Sequence, residues 1–206
     1  QIGPGTAGAG APIGVIGPGT GLGVSSLVPH PDGGGKWIPL AGEGGHATLS
    51  TVDAREAAIV DWPHRAGRTH VSAERLISGA GLETLYAAVT ALDGAIAPEL
   101  AAAAITERAK SAEDPHAVES VHIFCALLGT VAGNLALTLG ARGGVYIAGG
   151  IVPKLGDLFD KSQFRARFVA KGRMQTYLEP IPTYVMTNPL PAFLGLAALL
   201  NSGTGN

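Results

Sequence analysis

Cysteine occurs once in the 206 residues, at Cys125, which excludes an internal disulfide and any cysteine-rich metal site and fits a reducing cytoplasm. Charge is scarce too. Only 15% of residues are Asp, Glu, Lys or Arg, and the net charge of −2 gives no reason to expect nucleic acid or an anionic membrane as partner. No GxxxxGK[ST] element is present, so a Walker-type phosphate loop is excluded. Residues 1–11 are mostly Gly, Ala and Pro, with neither the basic nor the apolar region of a signal peptide, and no initiator methionine precedes them. The chain is therefore expected to begin inside a longer protein. One long stretch, Ile123 to Ala141, has no charge at all and is long enough to raise a membrane span, with Gly129 and Gly133 as a GxxxG pair. Its apolar stripe continues upstream through Glu119, however, and Asn134 interrupts it. An amphipathic core helix, packed closely at its glycines, is the expectation.

What the chain has in quantity is glycine, 31 residues of it, within a hydrophobic fraction of 46%. Glycine marks tight turns and places where backbone approaches something closely. Residues 1–12 read as a flexible linker or the remnant of a preceding segment, in which Ile2-Gly3-Pro4-Gly5-Thr6 is echoed at Ile16-Gly17-Pro18-Gly19-Thr20. Only the second copy lies between strand-like runs, Ile13–Ile16 and Leu22–Val28. A loop over Pro29–Gly35 leads to a short strand at Lys36–Leu40, and His46–Thr51 alternates enough for another. Asp53-Ala54-Arg55-Glu56 has the spacing of a capping box opening a helix that Pro63 is expected to break or kink. Ser72 is a candidate N-cap for a turn of helix ending at Gly79, and Leu82, Leu85, Tyr86 and Val89 share one face of the next helix. Asp114-Pro115 opens the long core helix, which Gly140 ends. A buried strand at Val145–Ala148, a helix opened by Pro153, a strand at Ile181–Val185 and a terminal helix over Pro191–Leu200 complete the chain. Strands first, then helix alternating with strand, predict one α/β domain with a mixed sheet flanked by helices.

Four places could carry chemistry. Gly17, Gly19, Thr20 and Gly21 sit in a strand–turn–strand that can present backbone N–H groups and a hydroxyl to an anion, or can be a plain hairpin turn. Glu43 and His46 enclose two glycines; they can grip vicinal hydroxyls, or be a charged turn with a satisfied histidine. Glu74, near a helix start, reads unaided as a surface acid that complements the helix dipole. Gly149 and Gly150 follow a strand and precede a helix, where a flat ligand can lie on bare backbone, or the chain can simply turn. Lys161, Arg165, Arg167, Lys171 and Arg173, interleaved with Phe164 and Phe168, read as a solvated helix face rather than an anion site.

In this order the motifs Gly17-Pro18-Gly19-Thr20-Gly21-Leu22-Gly23, Ala41-Gly42-Glu43-Gly44-Gly45-His46, His70-Val71-Ser72-Ala73-Glu74-Arg75-Leu76-Ile77-Ser78-Gly79 and Ala148-Gly149-Gly150-Ile151 resemble the C-terminal part of the bacterial glucokinase family, over about Pro12 to Leu200. The resemblance implies an actin-like, ribonuclease-H-like fold, with residues 13–206 as the large domain and an N-terminal domain outside this chain. It implies ATP-dependent phosphorylation of glucose in the cytoplasm at the entry to glycolysis, with Mg2+ as cofactor and a homodimer as the complete enzyme. Glu43, His46 and Glu74 would contact glucose; Gly17, Gly19, Thr20 and Gly21 would form the second phosphate loop; Gly149 and Gly150 would receive adenosine. In the family an Asp of the first domain is the base, so none of Asp32, Asp53, Asp61, Asp93, Asp114, Asp157 and Asp160 inherits that role. A related group of repressors and sugar kinases shares the Glu-x-Gly-His element but adds a cysteine-rich zinc site, which one cysteine cannot build. A non-catalytic sugar-binding or regulatory module on the same fold is the alternative reading, since fold does not fix function.

Overall fold

β-Branched residues and turn glycines make the first third of the chain a meander. In the computed structural model, which describes residues 1–188 apart from 34 and 66 together with 190, 191, 193, 195 and 197, strands β1 (Ile13–Pro18), β2 (Leu22–Pro29) and β3 (Trp37–Gly42) pair antiparallel in sequence order. The chain then crosses through helices and returns with β4 (Val145–Ile147) parallel to β1, followed by β5 (Thr183–Val185) parallel to β4. The resulting order is β3-β2-β1-β4-β5, the mixed sheet expected from the pattern. Because β1 is flanked by a hairpin partner on one side and a parallel strand on the other, the loops leaving β1 and β4 emerge at the same sheet end. Both glycine-rich turns are therefore neighbours.

The helices follow their capping signals with some exceptions. In α1 (Ala54–Arg65), Asp53 Oδ1 accepts from Glu56 N–H at 2.8 Å, and the Glu56 carboxylate accepts from Val52 N–H at 3.1 Å. Pro63 lies in the last turn and removes one helical donor there, and the helix ends two residues later at Arg65, where the Pro63 carbonyl accepts from Arg68 N–H. Helix α2 (Ala73–Leu76) ends well before Gly79, and Ser72 makes no side-chain cap. The cap is Ser78, whose hydroxyl accepts from Gly81 N–H at 3.0 Å and opens α3 (Gly79–Leu92), so Gly79 begins a helix rather than ending one. Helix α4 (Ala102–Ser111) was carried only by helix-forming alanines and no cap signal. Helix α5 (Pro115–Leu139) has the expected Asp114 cap and a left-handed Gly140 at its end. Short helices α6 (Ile151–Leu155), α7 (Asp157–Asp160), α8 (Phe164–Val169) and α9 (Gln175–Leu178) fill the remainder. The expected helix over 191–200 lies largely outside the described residues.

Helix α5 has membrane-span length and hydropathy, yet it is the core of this domain, with 61% of its most apolar window buried. Gly129 and Gly133 explain the fit. A Cβ on either would run into the backbone carbonyls of Phe164 and Phe168, so α8 rests directly on bare helix. Phe124, Phe159, Phe164 and Phe168 are fully buried around that contact. The same crossing overturns the solvated-face expectation for the basic residues of α8. Arg167 turns inward, paired through both nitrogens with buried Glu56 and donating to Thr130 Oγ1 at 2.8 Å. Lys171 Nζ donates to the Thr130 carbonyl at 3.1 Å, and burial lowers its pKa. Arg165 donates to the carbonyls of Ile181, Glu179 and Pro4. Of the five, only Lys161 and Arg173 are exposed.

That last contact also changes the picture of residues 1–12. Ile2 N–H donates to Thr183 O at 2.8 Å, Thr6 N–H to Pro180 O at 3.1 Å and Gly8 N–H to Arg142 O at 2.8 Å. The segment expected as a flexible linker is strapped along the β5 edge. The expected strand over His46–Thr51 is likewise replaced, by a 3₁₀ turn at Gly44–His46 and a single bridge of Thr48 to Ser72. Two adjacent glycines let the chain tighten there instead of extending.

Candidate active site at the sheet end

Three turns converge where β1, β3 and β4 end and β2 begins. The first is the β1–β2 turn. Its Gly19 N–H is bonded to Gly21 O at 2.8 Å, and its Gly19 carbonyl accepts from Gly79 N–H at 2.9 Å, so the turn is pinned to the start of α3. The glycines of this turn divide by role. Gly17 packs on Ala148 and Gly21 on the Glu74 carboxylate, whereas nothing stands within 4 Å of a Cβ on Gly19. Gly19 and the exposed Thr20 thus face open space.

The second turn carries Glu43 and His46. His46 N–H donates to Glu43 O at 2.9 Å, which folds the two side chains to the same side; their Nε2 and Oε2 atoms are 3.9 Å apart, and the side chains are 90% and 61% exposed for Glu43 and His46. Gly45 is required beneath them, because a Cβ there would run into the Leu22 carbonyl. Glu74 arrives from α2, held by Ala73 N–H donating to Ala47 O at 2.9 Å, and Glu74 Oε2 accepts from Leu22 N–H at 2.8 Å. Leu22 is therefore the shared anchor: its carbonyl seats the Glu43–His46 turn and its amide orients Glu74. One Glu74 oxygen is committed to that amide, and the other remains able to accept from a ligand hydroxyl.

The third turn follows β4. Ala148 N–H donates to Ile16 O at 2.8 Å, and Gly149 at φ +83° lies so close to Pro18 that a side chain would strike its carbonyl. Gly149 is thus needed by the fold itself. A Cβ on Gly150 would meet nothing within 4 Å, and Gly150 lines an open groove of about 490 Å³ with Gly19, Thr20, Gly79, Ala80 and Lys154. Gly79, Ala80, Glu83 and Lys154 escaped the sequence reading; the Ser-Gly-x-Gly cap at Ser78–Gly81 was the one available signal.

The aspartates are mostly occupied elsewhere. Asp53 and Asp114 cap helices, while Asp61, Asp93 and Asp157 pair with Arg65, Arg55 and Lys161. Burial pushes the Cys125 thiol up to about 12, so it stays protonated and serves as core. Among the described residues no three His, Cys, Asp or Glu side chains converge as a metal cage.

A family model described as Glucokinase matches residues 1–203. The chain belongs to the glucokinase family. It is 54% identical over 201 residues to the glucokinase of Chromobacterium violaceum, covering 97% of this chain and 56% of that protein. Among solved structures, the glucokinase of an Antarctic psychrotroph superposes with a TM-score of 0.87 at 36% identity, over 97% of this chain and 61% of that one. A ROK-family glucokinase from Streptomyces griseus, solved with glucose and AMPPNP, shares the fold with a TM-score of 0.58 at 19% identity, over 93% of this chain and 61% of that one. The fold is thus the actin-like sugar-kinase fold, and the chain spans a little over half the length of the glucokinases it matches.

Proposed function

We propose that this chain is the large domain of an ATP-dependent glucokinase, with residues 13–206 holding glucose and part of the nucleotide. Glucose hydroxyls are accepted by Glu43 and Glu74 and exchanged with the His46 imidazole; the polyphosphate lies over Gly17, Gly19, Thr20 and Gly21, and adenosine over Gly149 and Gly150. One contact supports this reading above the others: the Glu74 carboxylate sits directly against Gly21. A sugar held by Glu74 is thereby brought beside a phosphate held by the β1–β2 turn, which is the juxtaposition phosphoryl transfer needs. The complex of the Streptomyces griseus enzyme with glucose and AMPPNP agrees with that pair of ligands.

Mg2+ would enter with the nucleotide in this reading, as suits an ion that rarely occupies an all-protein cage. Its role is to neutralise charge on the transferring phosphate. The base and the first phosphate loop come from a domain preceding this one, and the complete enzyme is a dimer. The 206-residue chain alone is then expected to lack the roughly 10²–10⁴-fold contribution of general-base catalysis.

Calorimetry on Glu43→Ala in the complete enzyme tests the sugar assignment. Losing one charged acceptor should weaken glucose by about 1–3 kcal/mol through an unpaired hydroxyl. Unchanged glucose affinity would remove Glu43 from the site.

A further inference from the structure

We infer that Lys154 is a nucleotide-binding residue that grips the polyphosphate from the wall facing the β1–β2 turn, an inference that rests on the nucleotide reading above. Lys154 stands four residues beyond Gly150 on α6, is exposed, and lines the same groove of about 490 Å³ as Gly19, Thr20 and Gly150. It also borders two adjoining hollows. One, of about 250 Å³, is walled by Leu82, Ala102 and Ile151 together with Thr106, Glu107 and Lys110; the other, of about 450 Å³, contains Lys110 and Lys161.

The three lysines differ in what they already hold. Lys110 Nζ donates to Glu107 at 2.8 Å, and Lys161 Nζ to Asp157 at 3.3 Å. Lys154 has no ion pair among the described residues. Glu83, the acidic residue lining the groove, has one carboxylate oxygen engaged by Ala102 N–H at 3.0 Å. The groove thus presents one uncommitted ammonium, an exposed hydroxyl at Thr20 and bare backbone at Gly19 and Gly150. That set suits a di- or triphosphate, because an ammonium offers three N–H donors on a stem long enough to follow the anion.

Lys154→Gln in the complete enzyme, titrated calorimetrically with ATP, AMP and adenosine, is the test. Removing one charge-assisted contact should weaken ATP about tenfold, weaken AMP less and leave adenosine and glucose unchanged. Steady-state kinetics should show a raised KM for ATP with kcat nearly retained, and Lys154→Arg should recover most of the loss. Gly19→Val serves as the reference. If it abolishes ATP binding while Lys154→Gln binds ATP normally, the lysine is outside the site and only this inference falls. If neither substitution alters ATP binding, the nucleotide reading fails and takes the lysine with it. An equal loss of ATP and adenosine in Lys154→Gln would also overturn the inference, since it would mean contact with the base rather than the phosphates.

Discussion

The end of the sheet and the α5–α8 crossing are both built on glycine, and they use it for opposite purposes. At the crossing, Gly129 and Gly133 are buried under the carbonyls of Phe164 and Phe168, so bare backbone meets bare backbone and nothing is left over. At the sheet end, Gly19 and Gly150 meet nothing within 4 Å, and the backbone they expose faces solvent. The charges divide in the same way. Glu56 and Arg167 are paired and nearly sealed off, while Glu43 and His46 stand in water 3.9 Å apart. Glycines with a neighbour already in place are required by the fold, whereas Gly19 and Gly150 are free of that requirement and line the open groove. Within a single turn this rule separates Gly149, which the fold requires, from Gly150, which it does not.

Breaking the buried frame should have the largest effect. Arg167→Ala strands the Glu56 carboxylate in the core and is expected to cost about 3–5 kcal/mol of stability, read as a lowered denaturation midpoint. Gly129→Ala comes next, at roughly 1–3 kcal/mol, because the new methyl forces α8 away from α5. Gly19→Ala should leave the midpoint where it is and weaken ATP instead, which separates the two kinds of glycine in one pair of experiments. Asp114→Asn probes the frame more gently. Burial raises the Asp114 pKa, but hydrogen bonds from Tyr86 and the amides of Ala117 and His116, with Arg108, outweigh it and leave the pKa lowered. The folded state therefore binds protons less readily than the unfolded one, so the stabilisation is full above the ordinary carboxylate value and lost as pH falls below about 4. Asp114→Asn should cost about 1 kcal/mol near neutrality and show a flatter decline of stability in acid. Gly150→Ala, with no neighbour to strike and φ of −88°, should change stability least.

Much of this was legible in the chain. Periodicity located α3 and α5, and the Asp114 and Gly140 signals bounded α5 because local caps act through neighbouring residues. The order of the motifs carried the family, and through it the three turns. What sequence could not convey was direction across the fold. The five basic residues near α8 look like a solvated face until Glu56, over a hundred positions earlier, is brought beneath Arg167. Residues 1–12 look like a linker until the edge of β5 is there to bond them. The Gly44–His46 turn replaced a strand because its shape is set by Leu22 rather than by its own alternation. Lys154 had no motif to announce it, and only the pairing of its neighbours singles it out.

Sugar and phosphate meet at this sheet end only if Glu74 is a sugar ligand set beside the phosphate turn, and Glu74→Gln tests this most directly. The amide oxygen can still accept from Leu22 N–H, so the fold and the β1–β2 turn should keep their places. Titrating glucose and then ATP into the complete enzyme should show glucose weakened by about tenfold or more, with ATP affinity unchanged and the unfolding midpoint near that of the native protein. Glucose binding as tight as the native protein's, in a variant that folds normally, would contradict the account.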